Sequence, residues 1–574
     1  MKKQVLILFK THLDVGFTDY SANILQKYLK EYIPNAIRVG NELKGTDTPF
    51  IWTVGSWLIR QALKADADGS VERAVRDGIL NWHALPFTTH TELMSKELFE
   101  YGLSLSGQLD ARFGRTTTGA KMTDVPGHTV AAVPLMEKAG VRFLHIGVNP
   151  ATPVPKVPPV FRWKNGESSI VVMYEEDYGK VAEFDDFIVY FAHTNDNLGP
   201  QSAQEIVDIY DKLRVQYPDC ELCAATLSDV AERVCKLENL PVLECEIGDT
   251  WIHGGQTDPQ KMSRYRRVLR AFPGKEALHD WADDLLAVPE HTWGMDFKSY
   301  FHKDDAYTPA QLEALGDDAE RRALETSWQE QRGYVKAAEE ALGLQSEYPV
   351  CAPDLNGYEE TEPGAPDAEI SWQIFDREDF ERYDRQYMRC HVEWAIKDFK
   401  KPGLPEYTGG IYTAKVIKAY RKGDEMLYHM AFDAQVTAEH GLPQLWLKVA
   451  GGKVEVIWLG KKASRIPQAC WLKFCGLQEE WEISKLGQWL QPENILDSPF
   501  ICGVDEYGVR NAQVQIKPLD SALVAPFGRR MLHYGEEKGA QDLYFNLYNN
   551  IWNTNFTIWY SDDAIFRFEM VSRG

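Results

Sequence analysis

No stretch of the 574-residue chain approaches the roughly 20 consecutive apolar residues of a membrane span, so no membrane-embedded function is expected. Basic charge is in deficit: 62 Lys and Arg stand against 85 Asp and Glu, a formal net charge of −23. A field of that sign repels phosphate backbones and anionic lipid, which excludes nucleic acid and membrane surfaces as expected partners. Cysteine is sparse and odd in number, nine residues scattered from Cys220 to Cys502, and no disulfide framework is expected. Of Cys220, Cys223, Cys235 and Cys245, only the first two have the two-residue gap of a zinc ribbon, and the group reads as small core residues. Met1-Lys2-Lys3 precedes an apolar run that stops at Lys10, too short for a secretory leader, and a cytoplasmic protein is expected. There is no internal repeat and no low-complexity tract.

What is present is length, aromatic residues and a change of pattern along the chain. The length exceeds what one core can serve and suggests about three or four units. The 17 Trp and 26 Tyr suit either sugar-stacking surfaces or β-rich cores. From residue 1 to 265, short apolar runs alternate with helical patterns, the signature of βα units and a parallel sheet. Thr129–Ala139, Gln204–Tyr217 and Ser228–Leu237 read as helices, and Arg142–Gly147, Ile170–Tyr174 and Glu221–Thr226 as strands. From 266 to 345 the pattern turns helical, as in Asp317–Leu342, and a helical bundle segment is expected. The Pro- and Glu-rich passage Glu360–Asp367 reads as a linker or exposed loop. From 346 to 574, runs such as Gln444–Val449, Val454–Trp458, Gln513–Ile516 and Phe556–Tyr560 alternate, wholly or in part, at period two, an antiparallel β-sandwich signal. The expected fold is therefore α/β: a β/α domain, a helical segment and a β-sandwich.

Chemistry concentrates at strand ends in the first region. The run Val5–Phe9 opens into Lys10-Thr11-His12-Leu13-Asp14-Val15-Gly16-Phe17, and one residue between His12 and Asp14 projects an imidazole and a carboxylate to the same side. Asp124 follows a β-branched run and precedes the Pro126-Gly127-His128 turn; Asp196 lies in a polar loop after Phe187–Phe191; His253 and Asp258 follow Leu243–Ile247 and Trp251. Two imidazoles and two carboxylates at one edge of a sheet form a mixed N/O set that suits zinc or another divalent ion, leaving a carboxylate for acid/base work. Each residue also has a plainer reading as a turn former, helix cap or core histidine. Asp177, in the run Glu175-Glu176-Asp177, is a reserve acid/base, and His83, His90 and Glu92 follow another strand end.

The order of these motifs resembles that of the family 38 glycoside hydrolases, the retaining, metal-dependent α-mannosidases. His12-Leu13-Asp14-Val15-Gly16-Phe17 corresponds to the family's opening His-x-Asp-x-Gly-Trp, and Asp124-Val125-Pro126-Gly127-His128 to its nucleophile turn. Asn195-Asp196-Asn197-Leu198-Gly199-Pro200 is similar to the loop that carries the acid/base aspartate, and His253-Gly254-Gly255-Gln256-Thr257-Asp258, with Lys261 and Arg264 behind it, to the closing His-x-Gly-x-x-Thr segment. The resemblance covers the first half of the chain; the rest corresponds only in being β-rich. It implies a seven-stranded barrel-like catalytic domain and metal-dependent retaining hydrolysis of a glycan or oligosaccharide, with an α-mannoside as the family substrate. It further implies a divalent metal, Zn²⁺ foremost, on His12, Asp14, Asp124 and His253; Asp124 as nucleophile and Asp196 as acid/base; and Phe17, His128, Trp251 and Asp258 as substrate contacts. The chain departs from the family in carrying Phe17 where a tryptophan forms the sugar platform, and Val-Pro after Asp124 where the family has Pro-Phe. The alternatives are a metal-dependent polysaccharide deacetylase and a non-catalytic carbohydrate-binding protein; a homo-oligomer is compatible with any of the three.

Overall fold

The computed structural model describes residues 2–274, 280–345, 348–477, 480–496, 498–499, 501–535 and 542–573. The apolar run at the start forms β1, Gln4–His12, whose residues from Val5 onward are all buried. A strand buried on both faces needs neighbours on both edges. β1 has them: β9 (Phe187–Asp196) pairs parallel along its whole length, and on the other edge β10 (Glu221–Ala224) and then β2 (Trp52–Gly55) pair parallel. β3 (Leu80–His83) extends this sheet beyond β2, and β8 (Val181–Glu183) closes its far edge beside β9. A second sheet runs β6 (Val160–Asn165), β7 (Ser168–Glu175), β5 (Phe143–Val148), β4 (Gly119–Asp124). The pairs β4–β5 and β5–β7 are parallel, and β6–β7 is an antiparallel hairpin. The sheets approach one another where Ala84 N, just past β3, donates to Gly119 O at 3.0 Å.

The crossover helices lie close to where the periodicity puts them, and local chemistry sets their ends. Ser202 and Glu205 form a capping box at the start of Ala203–Gln216, and Thr226 and Asp229 do so for Leu227–Val234. Ala132–Lys138 occupies the centre of the expected Thr129–Ala139 helix.

The segment 266–345 is less uniformly helical than its composition suggests. Helices cover Pro259–Ala271, Asp280–Leu286, Phe297–Tyr300, Pro309–Ala314 and Ala319–Ala341, and 275–279 lie outside the described residues. Between them, residues 287–296 form a buried loop whose backbone bonds to other loops: Pro289 O accepts from His90 N, Gly294 O from Phe17 N, and Trp293 N donates to Asn555 Oδ1. Pro289 and Gly294 explain the break, since one lacks an N–H and the other favours non-helical backbone.

The C-terminal half holds a ten-stranded and a six-stranded antiparallel sheet. Trp458 of the first packs against Trp372 and Tyr548 of the second, with ring centroids 5.7 and 5.9 Å apart. Gln444–Ala450, Lys453–Leu459 and Val514–Pro518 are strands as expected. Phe556–Tyr560 is not a strand. It belongs to a wholly buried loop in which side-chain amides replace a ladder; Asn550 alone donates to Ser464 O, Ile466 O and Ile558 O. The passage Glu360–Asp367 overlaps the short edge strand Glu359–Thr361 and is otherwise irregular. Among the described residues no helix is long and apolar enough to cross a membrane.

Candidate metal centre

β1 delivers His12 at its last residue, and a bulge between Thr11 and His12 sets His12 beside Asp196 at the end of β9. Asn197 then locks the loop that follows. Held at a positive φ of 52°, it accepts from Asp14 N at 3.1 Å and donates to Gly16 O and Thr18 Oγ1. The side chains of His12 and Asp14 meet with 3.2 Å between Nε2 and Oδ1, so the one-residue spacing does place both on one side.

Asp124 ends β4 with φ +83°, a positive φ that few residues other than glycine adopt and that aspartate adopts more readily than most. Successive strand residues normally face opposite ways. The turn of backbone at Asp124 breaks this alternation, so Thr123 contacts His12 Nδ1 at 2.8 Å while Asp124 also reaches the cluster. Asp124 Oδ1 accepts from Asn149 Nδ2 at 3.1 Å and from the Tyr178 hydroxyl. Tyr178 in turn lies against the His12 ring, with centroids 5.3 Å apart.

The fourth member is His291, from the buried 287–296 loop. Its Nε2 lies 3.0 Å from His12 Nε2, 3.0 Å from Asp14 Oδ1 and 3.7 Å from Asp124 Oδ2. Its Nδ1 is 2.6 Å from Glu290 Oε1, and Glu290 Oε2 is fixed by Thr292 N at 2.9 Å. Ligand atoms bound at about 2.1 Å to one divalent ion lie about 3 to 3.5 Å from one another, close to the spacing seen. Asp14 Oδ2 is buried without a hydrogen-bond partner, and two imidazole nitrogens face each other at contact distance. Both features suit a cation among them. His12, Asp14 and His291 are grouped closely enough to hold a metal, and they are all buried.

The electrostatics favour positive charge at this point. Burial opposes charge on Asp14, yet His12 and His291 hold its carboxyl well below the usual carboxylate range. Burial likewise opposes a charge on His291, but Glu290 and Asp14 outweigh it and hold the ring proton well above the usual imidazole range. Asp196 behaves oppositely: burial, then the charges of Asp14 and Asp124, push its carboxyl up to about 7. One oxygen of Asp196 is buried without a partner.

The other residues singled out from sequence lie elsewhere. His253 is in the short turn Ile252–Gln256, edge-on to Trp552 at 5.2 Å, with its carbonyl bonded to Asn549, and it is not in the His12–Asp14–His291 group. Trp251 is buried against Phe399 and Trp552. Asp258 caps the helix Pro259–Ala271 and pairs with Arg332 at 2.6 Å. Lys261 lies over the Trp293 ring, and Arg264 pairs with Glu339. His128 is buried with neither ring nitrogen bonded. His90 pairs with Asp249, Glu92 with Lys485, and Glu175 with His145. Phe17 is half-buried at φ +62°, its ring 5.0 Å from Lys298 Nζ. The sequence reading missed His291 and Glu290 because they fall in a segment of helical composition. The available signal was the Pro289-Glu290-His291-Thr292-Trp293-Gly294 interruption, which combines helix breakers with a ligand-type residue.

Residues 256–369 match the model of a domain of unknown function, DUF5054. No curated protein sequence matches the chain. Among solved structures, an α-mannosidase from Enterococcus faecalis V583 is similar with a TM-score of 0.60 and 10% identity, over 100% of this chain and 87% of that one. A protein in glycosyl hydrolase family 38 from Enterococcus faecalis is similar with a TM-score of 0.56 and 10% identity, over 100% and 86%. The chain thus has a fold like that of the family 38 enzymes.

Proposed function

We propose that the chain is a metal-dependent retaining glycoside hydrolase acting on a glycan or oligosaccharide, with an α-mannoside as the first substrate to test. The observation that carries the reading is the convergence of His12, Asp14 and His291 within 3.0 to 3.2 Å of one another, with Asp124 Oδ2 3.7 Å from His291. In this proposal His12, Asp14, Asp124 and His291 hold the ion, His291 taking the place that the resemblance assigned to His253. A mixed N/O set of this kind favours Zn²⁺. When bound, the ion supplies Lewis acidity and an anchor for sugar hydroxyls. The seven-stranded barrel belongs to the same reading, with β9, β1, β2, β3, β4, β5 and β7 as its wall and the site at their C-terminal ends.

The protein's own groups then divide the work. Asn149 and Tyr178 orient Asp124 Oδ1, and the left-handed backbone directs the carboxylate into the cluster. Asp124 attacks the anomeric carbon as the bond to the leaving oxygen breaks. Asp196, whose raised affinity for a proton leaves it protonated near neutrality, donates that proton to the leaving oxygen. As a carboxylate it then takes a proton from water, which attacks the same carbon and frees Asp124. Phe17, half-exposed beside the Asp14 loop, offers an apolar face to the sugar without the N–H of an indole.

The test is a screen of aryl glycosides with and without chelator, with a 2-fluoro-sugar trap read by mass spectrometry. Chelator-sensitive cleavage, a covalent adduct on Asp124, and loss of about 10³-fold or more in turnover for Asp124→Ala are expected. Acetate release from an acetylated glycan, with no adduct on Asp124, would instead identify a deacetylase.

A further inference from the structure

Beside His12 lies a cavity of about 20 Å³, bordered by the polar side chains of Thr11, His12, His83, Thr88 and Lys121 and by apolar Leu13, Val54 and Phe87. It has room for one occupant the size of a water molecule or a halide ion. Lys121 enters it from β4 and is buried. Its ammonium donates to Thr11 O at 3.3 Å and Thr123 Oγ1 at 3.1 Å, which leaves one N–H over, and among the described residues no carboxylate pairs with it. Burial lowers its pKa only to about 8, so it is a cation at neutral pH. His83 enters from the end of β3, is buried, and has no hydrogen-bond partner on Nδ1. Burial, Lys121 and Lys10 all keep His83 well below the usual imidazole range, so its ring is neutral. Thr88 Oγ1 accepts from Thr123 N at 3.1 Å and keeps its own O–H to donate.

A buried cation with only neutral acceptors is costly, and an unmade bond on a buried imidazole adds to the cost. A monatomic anion among Lys121, His83 and Thr88 relieves both. None of the described residues lining the cavity is a carboxylate. We infer that this cavity is a halide site, taking chloride in solution, with Lys121 as its counter-charge and His83 and Thr88 as neutral donors. Thr123 Oγ1, shared by Lys121 and His12 Nδ1, ties the site to the imidazole beside it.

The test uses the full-length protein in two ways. In crystals grown with sodium bromide, an anomalous peak within hydrogen-bonding reach of Lys121 Nζ and His83 Nδ1 is expected; water density there with no anomalous signal overturns the site. In solution, melts in chloride against gluconate at equal ionic strength are expected to show a saturable rise of about 1 to 2 °C, the scale for a ligand at many times its Kd on a chain of this length. Lys121→Met is expected to abolish the chloride-dependent part, and His83→Phe to weaken it. The same chloride increment in folded Lys121→Met overturns the proposal. Should that variant fail to fold, the bromide result on the unaltered chain decides.

Discussion

Two buried polar clusters in this molecule join distant parts of the chain, and they differ in what they leave unmade. In the first, Lys485 of the C-terminal sheets lies 2.8 Å from both Glu92 and Glu246 of the N-terminal half. Glu246 also accepts from Thr129 Oγ1 and Val130 N, each at 2.8 Å, and Glu92 from Gly503 N at 2.8 Å. One cation answers two carboxylates, and backbone or hydroxyl donors fill the remaining positions. In the second, His12, Asp14, Asp124 and His291 bring two imidazole nitrogens to 3.0 Å and leave an oxygen of Asp14 bare. The first cluster is complete as it stands, whereas the second leaves bonds unmade that a cation would fill. Unmade bonds, more than burial or residue type, separate a ligand site from a structural one.

That contrast yields predictions in descending size. His291→Ala is expected to weaken zinc binding by well over 100-fold while the fold survives, because it removes a ligand instead of a structural partner; calorimetric titration with circular dichroism measures both. Equal losses of fold and of metal would erase the distinction between the clusters. Lys485→Met is expected to do the reverse, costing about 3 to 5 kcal/mol of stability because two carboxylates lose the counter-charge they share, with metal affinity retained. Denaturant unfolding reads this, and adding Glu92→Gln should restore part of it. Glu290→Gln is expected to lower metal affinity by roughly 10- to 100-fold, since it removes the carboxylate that orients His291 without removing a ligand.

A smaller effect concerns pH. Asp196 is held at about 7 by burial and by Asp14 and Asp124. A general acid works in its protonated form, so turnover should fall on the alkaline side as Asp196 loses its proton. Asp196→Asn should remove that alkaline limb, and a limb that persists in the variant would assign the acid elsewhere. The mildest change is Phe17→Trp, which introduces an indole beside Asp14. It is expected to shift KM by only a few-fold, about the value of one added hydrogen bond, with kcat preserved.

Much of this was legible in the sequence, and the reasons are local. The Val5–Phe9 run, the helical patterns of Gln204–Tyr217 and Ser228–Leu237, and the alternation within Lys453–Leu459 act over a few residues, and each forms the expected element. His12, Asp14 and Asp124 were visible because strand ends announce themselves by an apolar run followed by polar residues. His291 was hidden by its setting: helical composition on both sides masks a ten-residue loop held only by long-range bonds to Phe17, His90 and Asn555. Phe556–Tyr560 failed for the converse reason. Its aromatic and β-branched residues are strand-like and it alternates only in part, but both faces are buried, so composition carries no information about pairing.

The place of His291 in the chain has one more consequence. Its ring meets His12 across 279 positions of sequence, a separation that spans nearly the whole N-terminal half. During synthesis, β1 emerges long before the loop that completes the cluster, so the first strand must wait for its last partner. An ion gripping both ends would then serve as a staple across a very long loop, where the entropy withdrawn from the unfolded chain is greatest. Loss of the ion should therefore be felt in the speed of unfolding and in protease resistance across the whole first half, well beyond the few residues that touch it.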